Sequence, residues 1–332
     1  MIGAGNGAGA HLRALRELGA DVTAVVTGHP HRRSAALALF PDAHVDWPAT
    51  AALARGADLA IVASPTNTHL DIVREAAARG IDVVVEKPLE TDLARAEELV
   101  RVATQAGIGL AVCFQHRAKP AGRALRALVA SGGIGTMTGG AVCVPWWRPA
   151  SYFAEPGRGT YARDGGGVLI TQAIHTLDLF LSVAGTPVRV RAEAGRAVQP
   201  MEAEDTVTGV LDYGDGRLVS VYATLAGYPG RDEELWISGT AGTAVVRAAS
   251  LVRYPAVGAQ PEVLVTGDAA STAVDPSAMP TAWHRDLLAD AVDAFRSRRE
   301  PLASGTSALA TQRVVTAMYR SAAYGDWVDP SA

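Results

Sequence analysis

The sequence predicts an α/β half followed by an α+β half, and three observations carry that prediction. Over residues 1–113, short apolar runs alternate with helical patterns, the grammar of a parallel sheet flanked by helices. A glycine-rich loop opens the first of those helices. Beyond residue 118 the apolar runs take on period-two character, as in antiparallel strands with one buried face. No long linker separates the halves, so the domains are drawn as 1–118 and 119–332.

In chain order, strands are expected at 22–27, 59–63, 82–85 and 108–113, each a short apolar run of the kind buried on both faces. Helices fit 8–18, 31–39, 68–79 and 92–106. Gly19, Gly80 and Gly107 stand where left-handed helix stops belong, and Thr91 where an N-cap belongs. In the second half a helix fits 120–130. A glycine-rich stretch and an aromatic, arginine-bearing loop over 145–167 follow it. Next comes a helix over 168–184. Strand-like runs then occupy 188–198, 205–212, 218–225, 234–238 and 244–246, with Tyr213-Gly214-Asp215-Gly216 as a hairpin turn. Helices over 283–298 and 307–323 close the chain.

Composition narrows the function. The 332 residues are 48% apolar and 19% charged, enough for two cores without disulfides or metals. The 30 basic and 34 acidic side chains leave a net charge of −4, which argues against a nucleic-acid binder working by broad phosphate neutralisation. Cys113 and Cys143 both sit in apolar runs, so a disulfide framework is excluded and nothing points to an oxidising compartment. No apolar stretch is read as reaching the ~18–20 residues of a membrane helix. The N-terminus lacks the basic region of a signal peptide. A cytoplasmic protein with no membrane partner is therefore expected. Lys87 and Lys119 are the only lysines. Lysine can lose its proton at accessible pH and arginine cannot, which draws attention to both positions.

Several motifs carry chemistry. Gly3-Ala4-Gly5-Asn6-Gly7-Ala8, followed by His11, fits G-x-G-x-x-A. The first glycine permits a tight turn, and the second lets backbone approach a pyrophosphate. The small Ala8 lets the helix pack on a strand while its N-terminus faces the phosphates. A plain glycine turn is the alternative. Only Met1 and Ile2 precede the loop where a strand belongs; either residues are missing upstream or the first strand is stunted. About twenty residues past such a loop, NAD-binding chains carry an acid for the adenosine ribose. Here Thr27 holds that place, with Gly28, His29, Arg32 and Arg33 after it and no carboxylate beside it. A missing acid with guanidinium groups nearby suits a 2′-phosphate, so NADP is expected and NAD is the alternative. An exposed basic helix turn is the plainer reading.

Ser64-Pro65-Thr66-Asn67-Thr68-His69 and Glu86-Lys87-Pro88 each follow a buried strand, at the carboxyl end where ligands bind in such sheets. Thr68 either caps the next helix or meets the cofactor. Lys87 either polarises and protonates an oxygen or is a surface lysine paired with Glu86. Asp164-Gly165-Gly166-Gly167 leads into a helix on which Thr171, His175 and Asp178 share a face through i,i+4 and i,i+3 spacing. His175 then gives or takes a proton, held by Asp178 or helped by the Thr171 hydroxyl. A structural histidine is the alternative.

In this order the pieces resemble the Gfo/Idh/MocA oxidoreductase family (relatives of glucose–fructose oxidoreductase and inositol dehydrogenase) over nearly the whole chain. The matching stretches are the cofactor loop with His11, residues 64–69, Glu86-Lys87-Pro88, Phe114-Gln115-His116-Arg117, residues 164–178, Glu204-Asp205-Thr206 and Tyr228-Pro229-Gly230. The resemblance implies an N-terminal Rossmann dinucleotide-binding domain. It also implies a C-terminal α+β domain with a large, mostly antiparallel open-faced sheet, through which a homodimer or homotetramer forms. By resemblance, Gly3, Gly5, Asn6, Gly7, Ala8, Thr27, Gly28, His29, Arg32 and Arg33 face the cofactor. So do Ser64, Pro65, Thr66, Asn67, His69, Glu86, Lys87 and Gln115. Lys87 lies between nicotinamide and substrate hydroxyl, and His175 is the general acid/base.

The family often carries Asp or Asn where Thr171 stands. Threonine cannot serve as a carboxylate, which leaves Lys87 and His175 as the core pair, with Thr171 and Asp178 beside them. The loop over 146–161 looks like the substrate-side loop of sugar-acting members. It offers Trp147, Arg148, Tyr152, Arg158 and Tyr161, with Gln172 and His284 joining them. Aromatic rings suit sugar faces, and arginines suit a carboxylate or phosphate; subunit packing is the alternative for the tryptophans. No metal is expected. The expected activity is hydride transfer between NAD(P) and a secondary alcohol or carbonyl of a sugar, sugar derivative or cyclitol. The alternatives are a non-catalytic nucleotide or sugar sensor, an NAD-dependent glycosidase of the same fold, and a dehydrogenase of a cyclic non-sugar diol.

Overall fold

The computed structural model describes residues 1–5, 8–27, 30–267 and 280–331, without the side chains of Pro30 and His31. Four residues expected at the cofactor, Asn6, Gly7, Gly28 and His29, lie outside the described residues. The chain begins α1 (Ala8–Glu17), β1 (Ala24–Val26), α2 (Pro30–Leu39), β2 (His44–Asp46), α3 (Ala49–Leu53), β3 (Leu59–Val62), α4 (His69–Ala77), β4 (Asp82–Val85), α5 (Leu93–Ala106) and β5 (Leu110–Val112). It continues α6 (Pro120–Ala130), β6 (Met137–Pro145), α7 (Tyr161–Asp164), α8 (Ile174–Ala184), β7 (Arg189–Gly195), β8 (Thr206–Asp212), β9 (Leu218–Thr224) and β10 (Glu234–Gly239). Last come β11 (Gly242–Arg247), β12 (Ser250–Pro255), β13 (Glu262–Val265), α9 (Thr281–Ser297) and α10 (Gly305–Tyr324).

Two compact units result: Met1–Ala118 with Met279–Leu309, and Lys119–Ala278 with Ala310–Ala332. The sequence reading gave all of 119–332 to the second domain. The stretch carrying α9 instead packs in the first unit, against α1. Its apolar stripe explains why: Trp283, Leu287, Leu288, Ala291 and Ala294 are buried at helical spacing.

In the first unit, β3, β4 and β5 pair in parallel, as do β1 and β2. Ile2 occupies the slot between the two groups. Ile2 bridges both Val26 and Val62 in parallel. Its N–H donates to Ile61 O at 2.7 Å, and its carbonyl accepts from Ala63 at 2.7 Å. The order is therefore β2-β1-Ile2-β3-β4-β5, the doubly wound arrangement. Val83, Val84, Val85 and Val112 are fully buried, as in strands covered on both faces. Sequence patterning missed β2 and α3, three and five residues long, because neither is long enough to show a period. The helix stops at Gly19, Gly80 and Gly107 do adopt positive φ. The N-cap of α5 is Asp92 rather than Thr91: its carboxylate accepts the Arg95 N–H at 2.9 Å.

The second unit holds an eight-stranded sheet in the order β13-β12-β11-β10-β6-β9-β8-β7. Every pairing is antiparallel except β6 with β9. Helices α6 and α8 pack against it. The hairpin at 213–216 joins β8 to β9, with Gly214 and Gly216 at positive φ. The sequence reading missed β6, β12 and β13. In β6 two glycines hide the pattern, and the sheet needs one of them: a Cβ on Gly140 would stand 2.3 Å from Trp236 O and 3.0 Å from the Phe180 ring.

The helix expected over 168–184 is broken into a π-helical turn, Leu169–Ala173, and α8. π-turns are rare and are frequent at functional sites. The run Tyr161–Ala184 is, contrary to the sequence reading, long and apolar enough to cross a membrane; 78% of its most apolar window is buried within the protein, as for a core helix.

Candidate active site

The carboxyl ends of β3, β4 and β5 carry the 64–69 loop, Glu86-Lys87 and Cys113–Gln115. Parallel pairing brings these three ends to one edge of the sheet, where such folds bind ligands. Ala8 begins α1, and its N–H donates to Gly5 O at 3.0 Å, so the glycine loop runs directly into a helix N-terminus. A Cβ on Gly5 would meet, among the described residues, only Arg32 Nη1, at 3.7 Å. Among the described residues, then, only a guanidinium stands beside this glycine, which fits a phosphate group. Thr27 is half-buried just past β1, and Arg33 is exposed on α2.

Hydrogen bonds fix the loops around this edge. Thr68 Oγ1 donates to Pro65 O at 2.7 Å and lies 2.7 Å from Ser64 Oγ, the local bonding expected of a turn-forming threonine. Thr66 and Asn67 form one short 3-10 turn with it. His69 is buried, with Nε2 3.1 Å from Ser64 O and Nδ1 3.1 Å from Leu89 O. Burial holds its pKa below the usual value, which favours the neutral ring. His69 thus lies between the 64–69 loop and the turn after Lys87, with one ring N–H donating to a carbonyl of either. Sequence reasoning missed Glu90. It is fully buried and accepts from the Leu70 N–H at 3.0 Å, the Thr91 N–H at 2.8 Å and Arg95 Nη2 at 2.8 Å.

Lys87 is half-buried, and its N–H donates to Glu86 Oε2 at 3.1 Å. Glu86 Oε1 in turn lies 2.7 Å from His11 Nε2. Burial alone would raise the Glu86 carboxyl. The hydrogen bond and charge of His11, with the nearby His284 and Lys87, bring it down to about 2. His284, expected at the substrate, lies in the nucleotide-binding unit, buried edge-on to His11 at a centroid distance of 4.8 Å. Gln115 is buried after β5, with its Oε1 4.0 Å from Cys113 Sγ.

In the second unit, His175 is buried in the first turn of α8, directly after the π-turn. The π geometry replaces the uniform spacing assumed for Thr171, His175 and Asp178. Thr171 Oγ1 reaches Gly167 O at 2.5 Å and contacts Gln172 Oε1. Asp178 is fully buried and accepts from Thr311 Oγ1 at 2.8 Å. Gly167 is obligatory here, since a Cβ would stand 1.8 Å from Glu204 O.

The aromatic loop gathers several expected substrate residues. Gln172 Nε2 donates to Tyr152 OH at 3.1 Å. The Arg158 guanidinium lies over the Tyr152 ring at 4.4 Å; that of Arg148 lies 5.6 Å from the same ring and 4.9 Å from Trp146. Arg158 also pairs with Glu155. Trp147 packs edge-on to Tyr228 at 5.4 Å, while Tyr161 is exposed on α7. Lys119, the other lysine, is structural: it is buried 3.4 Å from Glu233.

Comparison with known proteins agrees with this layout. Residues 1–114 match the model of an oxidoreductase family with an NAD-binding Rossmann fold, and residues 123–245 match a GFO/IDH/MocA C-terminal domain. D-apiose dehydrogenase of Rhizobium rhizogenes is 30% identical over 291 residues, covering 83% of this chain and 80% of that protein. The WlbA dehydrogenase of Bordetella pertussis, solved with NADH and UDP-GlcNAcA, is 26% identical with a TM-score of 0.86, covering 99% of this chain and 96% of that one. An oxidoreductase of Agrobacterium radiobacter, solved with NAD+, L-tartaric acid and magnesium, is 25% identical with a TM-score of 0.85, covering 99% and 97%. With both of its units matched in this way, the chain belongs to the GFO/IDH/MocA family of NAD-binding oxidoreductases.

Proposed function

We propose that this protein is an NADP-preferring dehydrogenase that interconverts a secondary alcohol and a carbonyl on a sugar, sugar derivative or cyclitol. The observation that carries the cofactor reading is the Arg32 guanidinium beside Gly5, with Thr27 in place of an acid at the end of β1. Relatives solved with NADH or NAD+ support the nicotinamide class. The preference for the 2′-phosphate rests on this chain's own residues. D-apiose dehydrogenase and the inositol 2-dehydrogenase of Rhizobium meliloti, among the relatives, support a polyhydroxylated substrate. So does the group of Tyr152, Arg148, Arg158 and Gln172, which gathers an aromatic ring and polar side chains in one place.

A bound nicotinamide would supply the hydride donor or acceptor for the substrate carbon. Lys87 donates to the substrate oxygen and steadies its charge as the hydroxyl proton leaves; His175 takes that proton, and returns it in the reverse direction. Thr171 and Asp178 hold the His175 helix in place. Glu86 keeps the Lys87 turn in place through its N–H. The same reading has the chain working in the cytoplasm as a homodimer or homotetramer joined through the C-terminal sheet. A monomer mass by light scattering would remove that part. The activity is tested with a panel of sugars and cyclitols and NADP+, comparing the wild type with Lys87→Ala. Loss of a general acid–base group should cost roughly a hundredfold to ten-thousandfold in turnover while NADPH binding is kept. Near-normal turnover in the variant would contradict the role of Lys87. No turnover across the panel despite tight cofactor binding would favour a sensor.

A further inference from the structure

We propose that His11, Glu86, Cys113 and His284 form a binding site for one divalent transition-metal cation, with Zn2+ the best match. They come from α1, the end of β4, the residue after β5, and α9, all within the nucleotide-binding unit. Each offers one ligand atom, and these atoms all lie within 4.8 Å of one another. His11 Nε2 is 2.7 Å from Glu86 Oε1 and 3.9 Å from Cys113 Sγ. Ligand atoms around a tetrahedral Zn2+ lie roughly 3.2–3.6 Å apart, given its bond lengths of about 2.0–2.3 Å. The observed distances of 2.7 and 3.9 Å lie on either side of that range.

The chemistry of the set selects the ion. Two imidazoles, a thiolate and a carboxylate suit Zn2+ and its neighbours, whereas Mg2+ and Ca2+ take oxygen ligands. Thiolate and carboxylate together neutralise the ion's charge, which a buried site requires. Both histidines are buried, and His284 Nδ1 has no hydrogen-bond partner among the described residues. Orphaned buried polar atoms are rare in folded proteins and mark places where an ion or water belongs. On binding, the Cys113 S–H bond breaks, an S–metal bond forms, and the proton leaves to solvent. Glu86 would ligate through Oε1 and keep Oε2 on the Lys87 N–H. Occupancy is thereby coupled to the Lys87 turn. The site does not depend on the proposed substrate or cofactor preference.

The test uses Co2+ and Zn2+ salts on the full chain after dialysis against a chelator, with far-ultraviolet circular dichroism to confirm the fold. Co2+ bound by a thiolate gives a sulfur-to-metal charge-transfer band in the near ultraviolet. The expected result is that band, saturating at one equivalent and displaced by Zn2+. Cys113→Ser should abolish it, leaving Cys143 in β6 unable to replace it. His284→Gln should weaken Co2+ binding at least about tenfold. No band in the wild type at saturating Co2+ would overturn the proposal. So would a band that survives both substitutions, which would mark adventitious binding by surface groups. If Cys113→Ser does not fold, the wild-type spectrum and His284→Gln decide the matter.

Discussion

Tyr319 donates its hydroxyl to the Glu204 carboxylate at 2.8 Å, while the Ile170 N–H points at the same hydroxyl from 3.3 Å. The carboxylate also accepts the Gly167 and Leu169 N–H groups at 2.9 and 3.0 Å, and the Glu204 carbonyl accepts that of Val168 at 3.0 Å. The first turn of any helix leaves its N–H groups without partners in the helix. Here two residues distant in sequence supply those partners, at the start of the run that carries His175.

That arrangement predicts a graded series. Glu204→Ala strands two buried N–H groups, those of Gly167 and Leu169, and the Tyr319 hydroxyl, and should cost about 2–4 kcal/mol in urea unfolding. Tyr319→Phe removes one hydroxyl and should cost about 1 kcal/mol. Glu204→Gln, which keeps an accepting oxygen, should fall between them. A neutral Glu204→Ala would mean that the π-turn is held by packing alone.

His284 gives a pH signature. Burial first, then the neighbouring His11, push its pKa from 6.5 down to about 4. Between those values the unfolded chain takes up a proton that the folded chain refuses. Stability is therefore complete above about pH 6.5 and declines as the pH falls toward about 4, by up to ~3 kcal/mol. In metal-free buffer His284→Gln should remove that slope. Glu86, depressed from 4.5 to about 2, works in a lower window: its contribution is present above about pH 4.5 and is lost on the way to about 2. Parallel wild-type and His284→Gln curves between pH 4 and 6.5 would contradict the assignment.

Lys119 and Glu233 are buried 3.4 Å apart, and Trp146 Nε1 donates to the same carboxylate at 3.3 Å. Removing one charge of such a buried pair takes an ion-pair partner from the other. Lys119→Met should cost about 3–5 kcal/mol, and adding Glu233→Gln should recover part of that loss. Additive losses in thermal or urea unfolding would show that the two groups are not coupled.

Arg32 is predicted to discriminate between cofactors. Arg32→Ala should weaken NADPH about 10–100-fold, the worth of a charge-assisted phosphate contact, and leave NADH nearly unchanged. Equal weakening of both would place the guanidinium on the pyrophosphate instead.

The sequence made the local features legible. The β-α alternation, the glycine stops, the hairpin at 213–216 and the strand-end motifs at Ser64 and Lys87 are each contained within a few residues. What it hid was non-local or aperiodic. In β6 the glycines at 139 and 140 break the alternation: the Leu218 carbonyl approaches Gly139 closely, and Trp236 and Phe180 approach Gly140. The π-turn before His175 has no signature in spacing, and the groups bonded to its start, Glu204 and Tyr319, lie far along the chain. The Glu86 cluster draws on residues from 11 to 284, and no window along the chain contains them together. Both lysines drew attention for the same reason, yet Lys119 answers to Glu233 and structure, and Lys87 to the edge of the sheet.

The central claim is tested most directly by titrating the purified chain with NADPH and, separately, NADH, following energy transfer from tryptophan to nicotinamide. The account predicts saturable binding of both, with NADPH at least about tenfold tighter, as one charged phosphate contact implies. Tighter NADH binding would contradict the reading of Thr27 and Arg32, and binding of neither would contradict the dehydrogenase itself.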